Sequence, residues 1–221
     1  MKIFLKKADY SLLTLFILLL SQIPFIFIRG IRQAGRGFTL SQTLLVLAVY
    51  ALIVFFVLRM AKQEGLLSLD FSFFGWSSVG WLALSYVMMF GVSILGIVIM
   101  MMEGQGIDTA NQEALKQMFK NVPSILLVMG AVIQAPILEE VAFRGLIAEK
   151  IFAKHSIWGL LVSSILFGLF HGPTNIGSFV LYAGIGGVLA FVVYISKRLE
   201  MAVLAHMLRN GVAALLMLLM S

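Results

Sequence analysis

Cysteine is absent from the 221 residues, which excludes disulfide scaffolds, thiol nucleophiles and cysteine-ligated zinc. Charge is scarce too. Asp, Glu, Lys and Arg together make up 12% of the chain, against roughly 25% in a typical water-soluble domain. Soluble globular, disordered and nucleic-acid-binding classes therefore fit poorly, although the formal charge is +6. That basic excess suits loops facing anionic lipid. No internal repeat or low-complexity tract stands out. What the sequence has in abundance is apolar surface: 61% hydrophobic residues and a mean hydropathy of +1.05. The composition describes an all-α, polytopic integral membrane helix bundle whose partner is the lipid bilayer and not nucleic acid.

Uncharged apolar runs of about 18 residues or more can cross a bilayer as helices, and isolated strands cannot satisfy their backbone groups in lipid. Tyr10–Ile28, Ser41–Leu58, Trp76–Met102 and Asn121–Leu138 are such runs, the last continuing through Glu139 and Glu140 toward Lys150. The next apolar stretch is too long for one span. It divides at the breaker cluster Gly172-Pro173-Thr174-Asn175 into Ser156–His171 and Ile176–Ser196. Leu199–Met220 completes about seven transmembrane helices. The first run follows Lys2, Lys6 and Lys7 but has no small-residue cleavage site after it, so it is expected to be an uncleaved anchor. Thr109–Asn121 mixes Leu115, Met118 and Phe119 with Lys116 and Lys120, the pattern of a short helix lying at the interface.

Nine basic residues fall on one side of this topology: Lys2, Lys6, Lys7, Arg59, Lys62, Lys150, Lys154, Lys197 and Arg198. Five fall on the other: Arg29, Arg32, Arg36, Lys116 and Lys120. The richer side is expected to be cytoplasmic. The result is a multi-pass protein of the cell membrane with its N-terminus in the cytoplasm and its C-terminus out.

An ionisable side chain within a membrane span costs about 2.5–3.5 kcal/mol or more, so each one needs a reason. Spans one to three contain none, whereas the last four contain Glu139, Glu140, Arg144, His171, His206 and Arg209, with the amide of Asn210. The chain thus divides into N-terminal helices and an interfacial loop (1–122) and a polar-cored four-helix part (123–221). Glu140 and Arg144, Phe167 and His171, and His206 and Asn210 are each four residues apart, one helical turn. At about 1.5 Å per residue, Glu139 lies roughly 16 Å from Lys150 and His206 roughly 10 Å from Leu199. His171 comes out deeper, so its helix must tilt or enter late.

Each feature alone has a plainer account. The acids and Arg144 could be a structural salt-bridge network, His171 a packing residue, and His206 with Asn210 a staple worth roughly 0.6 kcal/mol. Phe167 reads as packing, His155 as a solvated turn residue, and Gly184, Gly186 and Gly187 as close-packing glycines. Arg209 receives no role. Three polar pairs on three apolar helices are harder to assign to packing together. Other intramembrane protease patterns are absent: no His-Glu-x-x-His, no Gly-x-Ser-Gly, and no second intramembrane Asp to accompany the Gly104-Gln105-Gly106-Ile107-Asp108 loop.

The set Glu139-Glu140-x-x-x-Arg144, Phe167-x-x-x-His171 and His206-x-x-x-Asn210 resembles the CPBP family, the group of type II CAAX prenyl endopeptidases and bacteriocin-processing or Abi proteins. The resemblance runs from about Pro123 to Met220. It implies an intramembrane glutamic endopeptidase acting on a membrane-associated peptide or protein, with no cofactor. It further implies Glu139 as general base, His171 as binder and activator of the attacking water, and His206 with Asn210 as oxyanion stabilisers. Glu140, paired with Arg144, would fix the first carboxylate. Two rivals stay open. Glu139, Glu140, His171 and His206 could instead ligate zinc, leaving one position for water. The chain could also be a non-enzymatic immunity or scaffold protein. Neither the substrate nor the oligomeric state leaves a signal in the sequence.

Overall fold

A computed structural model describes residues 2–35, 37–68, 70, 72–154 and 156–219, with side chains from residue 6 onward. Arg36, His155 and Met220 lie outside the described residues. Among the described residues the regular structure is helix throughout: α1 (Lys2–Leu20), α2 (Ile23–Gln33), α3 (Leu40–Gln63), α4 (Trp76–Met102), α5 (Ala110–Phe119), α6 (Ser124–Phe152), α7 (Ile157–Phe170), α8 (Ile176–Ser196) and α9 (Leu199–Leu219).

The first apolar run is not one helix. Pro24 lacks an N–H and its ring excludes the carbonyl of Leu20 from continuing the ladder, so the chain turns at Ser21–Gln22 and restarts. The two pieces still form one apolar stretch, Lys6–Gln33, long enough to cross a membrane. Five other stretches qualify (Leu40–Gln63, Trp76–Met102, Ser124–Phe152, Ile176–Ser196 and Leu199–Leu219), and the protein is a multi-pass membrane protein. The remaining hydrophobic run became α7, whose 14 residues extend about 21 Å, short of the ~30 Å hydrocarbon thickness. A helix of that length entering from one face ends inside the bilayer, which accounts for the depth of His171 at its C-terminal end.

Helices α6 and α8 form the centre. In the most apolar window of each, 56% and 61% of residues are buried inside the protein, against 17% for α4. Within α6, Val128–Gln134 and Val141–Phe152 are wound as π-helix, a widened turn that recurs at functional positions. Helix α8 crosses α4 at glycine-to-glycine distance. A Cβ on Gly177 would sit 2.4 Å from the Met100 nitrogen, and one on Gly96 2.6 Å from Leu181 Cβ. Gly184 and Gly186 are likewise pressed against α4 and α7, but Gly187 faces open space and packs on nothing.

The turn from α7 to α8 is held from three sides. Gly172 takes a left-handed φ of +61°, which glycine alone adopts freely. Asn175 caps α8 by accepting from the Ser178 N–H at 2.7 Å. Glu103, at the C-terminal end of α4, accepts from the N–H groups of Ile176 (3.0 Å) and Gly177 (2.9 Å), so a carboxylate meets the orphan donors of a helix start.

Candidate active site

Three helices bring the polar residues together. Glu140 is fully buried, and its Oε1 accepts from Arg144 Nη1 at 3.2 Å and from His206 Nδ1 at 2.9 Å. Arg144 is also fully buried. It donates from Nη2 to the Gly186 carbonyl at 2.7 Å and stands 4.5 Å above the Phe167 ring. An ionised carboxylate can only accept, so His206 carries its hydrogen on Nδ1. Its Nε2 is then left with a lone pair.

His171 arrives at the same state by another route. Its Nδ1 lies 2.8 Å from the Phe167 carbonyl oxygen, which can only accept, so Nδ1 is the donor and Nε2 the free acceptor. The ring is clasped between Phe167 (centroids 4.5 Å apart) and Tyr182 (4.3 Å, nearly parallel at 16°). Glu139 completes the centre. Its Oε2 is buried without a hydrogen-bond partner among protein atoms. It lies 3.9 Å from His171 Nε2 and 4.0 Å from His206 Nε2. One carboxylate oxygen therefore faces two imidazole nitrogens.

Of the three one-turn pairs in the sequence, Glu140–Arg144 is a direct ion pair, and Phe167–His171 is joined through backbone carbonyl and ring contact. His206 and Asn210 are not partners. His206 turns to Glu140, while Asn210 donates to the Ala131 carbonyl at 2.8 Å and accepts from Arg209 at 3.3 Å. Asn210 thus ties α9 to the first π-wound segment of α6. Arg209, which the sequence left without a role, is the donor to the Asn210 amide oxygen. Tyr182 was missed as well. Its hydroxyl, in the otherwise apolar stretch Phe179–Val193 of α8, was its signal.

Among the described residues no group of three metal-ligating side chains stands close enough to hold an ion. Zinc ligands at 2.0–2.2 Å in a tetrahedron lie about 3.3–3.5 Å from one another. The 3.9 and 4.0 Å separations are wider, and Glu140 Oε1 already serves Arg144 and His206. The four-residue zinc set does not fit as these side chains stand.

Residues 121–212 match the family model described as type II CAAX prenyl endopeptidase Rce1-like. The chain is 27% identical over 167 residues to a Bacillus subtilis protein named "Putative membrane peptidase YdiL", covering 75% of this chain and 67% of that one. It is 31% identical over 129 residues to "UPF0177 protein YvdC" of Lactococcus lactis, covering 58% of this chain and 48% of that one. The alignments thus span about two thirds of the first relative and about half of the second. No solved structure is a significant match. Glu139, Glu140, Arg144, Phe167, His171, His206 and Asn210 all fall within the matched region, so the site lies in the part of the chain that is similar to Rce1-like membrane peptidases.

Proposed function

We propose that the protein is an intramembrane glutamic endopeptidase, hydrolysing a peptide bond of a membrane-associated peptide or protein. The observation that carries this is Glu139 Oε2, buried without a protein hydrogen-bond partner and set 3.9 and 4.0 Å from two imidazole Nε2 atoms, a spacing that one water oxygen bridges with ordinary hydrogen bonds of about 2.8 Å. Glu139 takes a proton from that water as its oxygen attacks the substrate carbonyl, and His171 Nε2 orients it. A positioned general base is worth roughly 10²–10⁴ in rate.

In this reading His206 supplies the oxyanion donor. With both rings neutral, Glu139 Oε2 and the two Nε2 atoms are all acceptors, whereas a water brings two hydrogens. One further proton on any of the three satisfies them all; in this reading His206 Nε2 takes it as charge builds on the substrate, with Glu140 beside Nδ1. That Nε2–H then donates to the oxyanion, aided by the second amide hydrogen of Asn210 and the charge of Arg209. One such donor contributes about 10²–10³ in rate. As the tetrahedral carbon collapses, the C–N bond breaks and Glu139 passes its proton to the leaving amine. On this reading the enzyme works in a cell membrane with its N-terminus cytoplasmic, the orientation that nine basic residues against five favour.

The test is to compare peptides released from membranes carrying wild type and Glu139→Gln, with a parallel chelator arm and metal analysis of the purified protein. Peptides that vanish in the variant and persist under chelation support the glutamic mechanism. Loss on chelation with stoichiometric zinc replaces it by the metal reading, and identical peptide sets replace it by a scaffold or immunity role.

A further inference from the structure

The clasp on His171 has a second anchor outside the four-helix part. The Tyr182 ring lies flat on the His171 imidazole, and its hydroxyl reaches the start of α5. Asn111 Nδ2 donates to the phenol oxygen at 3.3 Å, and Thr109 Oγ1 lies 2.7 Å from it in a buried contact. With Asn111 donating, the phenol hydrogen is free for Thr109. Thr109 is almost wholly buried, at 1% exposure. It is also the N-cap of α5, accepting from the Gln112 N–H while Gln112 reaches back to the Thr109 N–H, the reciprocal capping box. Its position is therefore set by the start of α5.

The other end of α5 is fixed as well. Arg32 of α2 donates to the carbonyls of Gln117 and Met118 at 2.6 and 3.1 Å. An interfacial helix held at its C-terminal end thus reaches, through its cap, to the ring that presses on His171. A backbone carbonyl fixes one nitrogen of His171 but leaves the imidazole able to swing about that bond. Ring contact with Phe167 and the stacked Tyr182 restricts that freedom, and a side chain supporting a reacting group must itself be locked.

We propose that Tyr182 is a positioning residue for His171, and that the N-terminus of α5 sets its place through Thr109. This rests on the reading of His171 as part of the reacting centre. The test therefore measures the His171 ring itself beside turnover.

The full chain, purified in nanodiscs, is treated with diethyl pyrocarbonate, and modification of His171 is quantified relative to His206 by mass spectrometry. Wild type is compared with Tyr182→Leu, Tyr182→Phe, Thr109→Val and the Phe/Val double variant. Glu139-dependent peptide release is followed in the same set. Tyr182→Leu is expected to raise the His171/His206 ratio severalfold and to slow release by roughly ten- to a hundredfold, the scale of a small misplacement of a reacting group. Tyr182→Phe keeps the ring and rescues most of this. It and Thr109→Val each slow release by about two- to tenfold, the worth of one hydrogen bond, and the double variant is no slower than either single. An unchanged labelling ratio in Tyr182→Leu, or additive losses in the double variant, overturns the proposal. Should Tyr182→Leu not fold, the non-additivity of the two hydroxyl variants decides. If no release depends on Glu139, the peptidase reading fails while the labelling ratio still judges Tyr182.

Discussion

Helices α1–α4 and α6–α9 are built from the same apolar residues, yet only the second set also satisfies charged groups deep between its helices. In the first set polar side chains bond close to home. Ser85 and Ser93 donate to carbonyls three and four residues back, at 2.8 Å each, and Thr39 caps its own helix. Longer reaches occur at the ends, as in Tyr10 to Glu64. In the second set the serines do the same, but the charged and amide groups also bond across the bundle: Arg144 to Gly186, His206 to Glu140, Asn210 to Ala131. A local bond says nothing about how two helices sit. A cross-helix bond in lipid fixes register, because lipid offers the freed group no substitute. The N-terminal helices are thus placed by shape, and the C-terminal ones by polar pairing.

The comparison breaks most visibly at Arg144. Arg144→Met leaves the Glu140 carboxylate buried without its guanidinium, and removing one partner of a buried pair costs about 3–5 kcal/mol. The chain has no cysteine for a thiol-reactive dye, so unfolding is followed by the fluorescence of its three tryptophans. A large drop in the midpoint is expected, partly restored by the double variant Glu140→Gln/Arg144→Met, in which no lone charge remains. A single variant as stable as wild type would show that polar pairing does not organise the C-terminal half.

Shape complementarity where α4 of the first set meets α8 of the second predicts a smaller effect. Gly177→Ala puts a methyl 2.4 Å from the Met100 nitrogen. Backbone cannot move aside as a side chain can, so α4 and α8 must separate, at about 1–3 kcal/mol for overpacking of this kind. Gly187→Ala, which meets nothing within 4 Å, serves as the control and should leave the midpoint where it was. Equal behaviour of the two variants would mean that the α4–α8 crossing is looser than its geometry.

Much of this was legible in the residues, and the rest has identifiable reasons. The limits of α4 and α8 follow the apolar runs because those runs end at charged or breaker residues. The ion pair Glu140–Arg144 is a one-turn relation, which spacing can express. The true partners of His206 and Asn210 are 66 and 79 residues away, and periodicity within one helix carries no information about them. Pro24 signalled the α1–α2 break, but unbroken hydropathy on both sides masked it. The π-wound turns of α6 have no propensity signature, since the same apolar residues serve either winding. Tyr182 could not be tied to His171 without knowing that α7 stops short and that α8 returns beside it.

The smallest effect belongs to the seam between the two halves. Glu103 ends an apolar helix of the first set, yet both its oxygens serve the start of α8. It is a local cap in kind and a cross-helix bond in reach. Glu103→Gln keeps an acceptor for one N–H and removes the charge, so the loss is the charge–helix interaction alone, about 0.3–1 kcal/mol. Salt should shrink the difference from wild type, because this end of α8 is partly exposed and such interactions are screened. Unfolding midpoints of the pair at low and high salt measure both points. A difference of several kcal/mol that ignores salt would place Glu103 among the buried polar groups that organise the second set, and would move the boundary between the two halves to the end of α4.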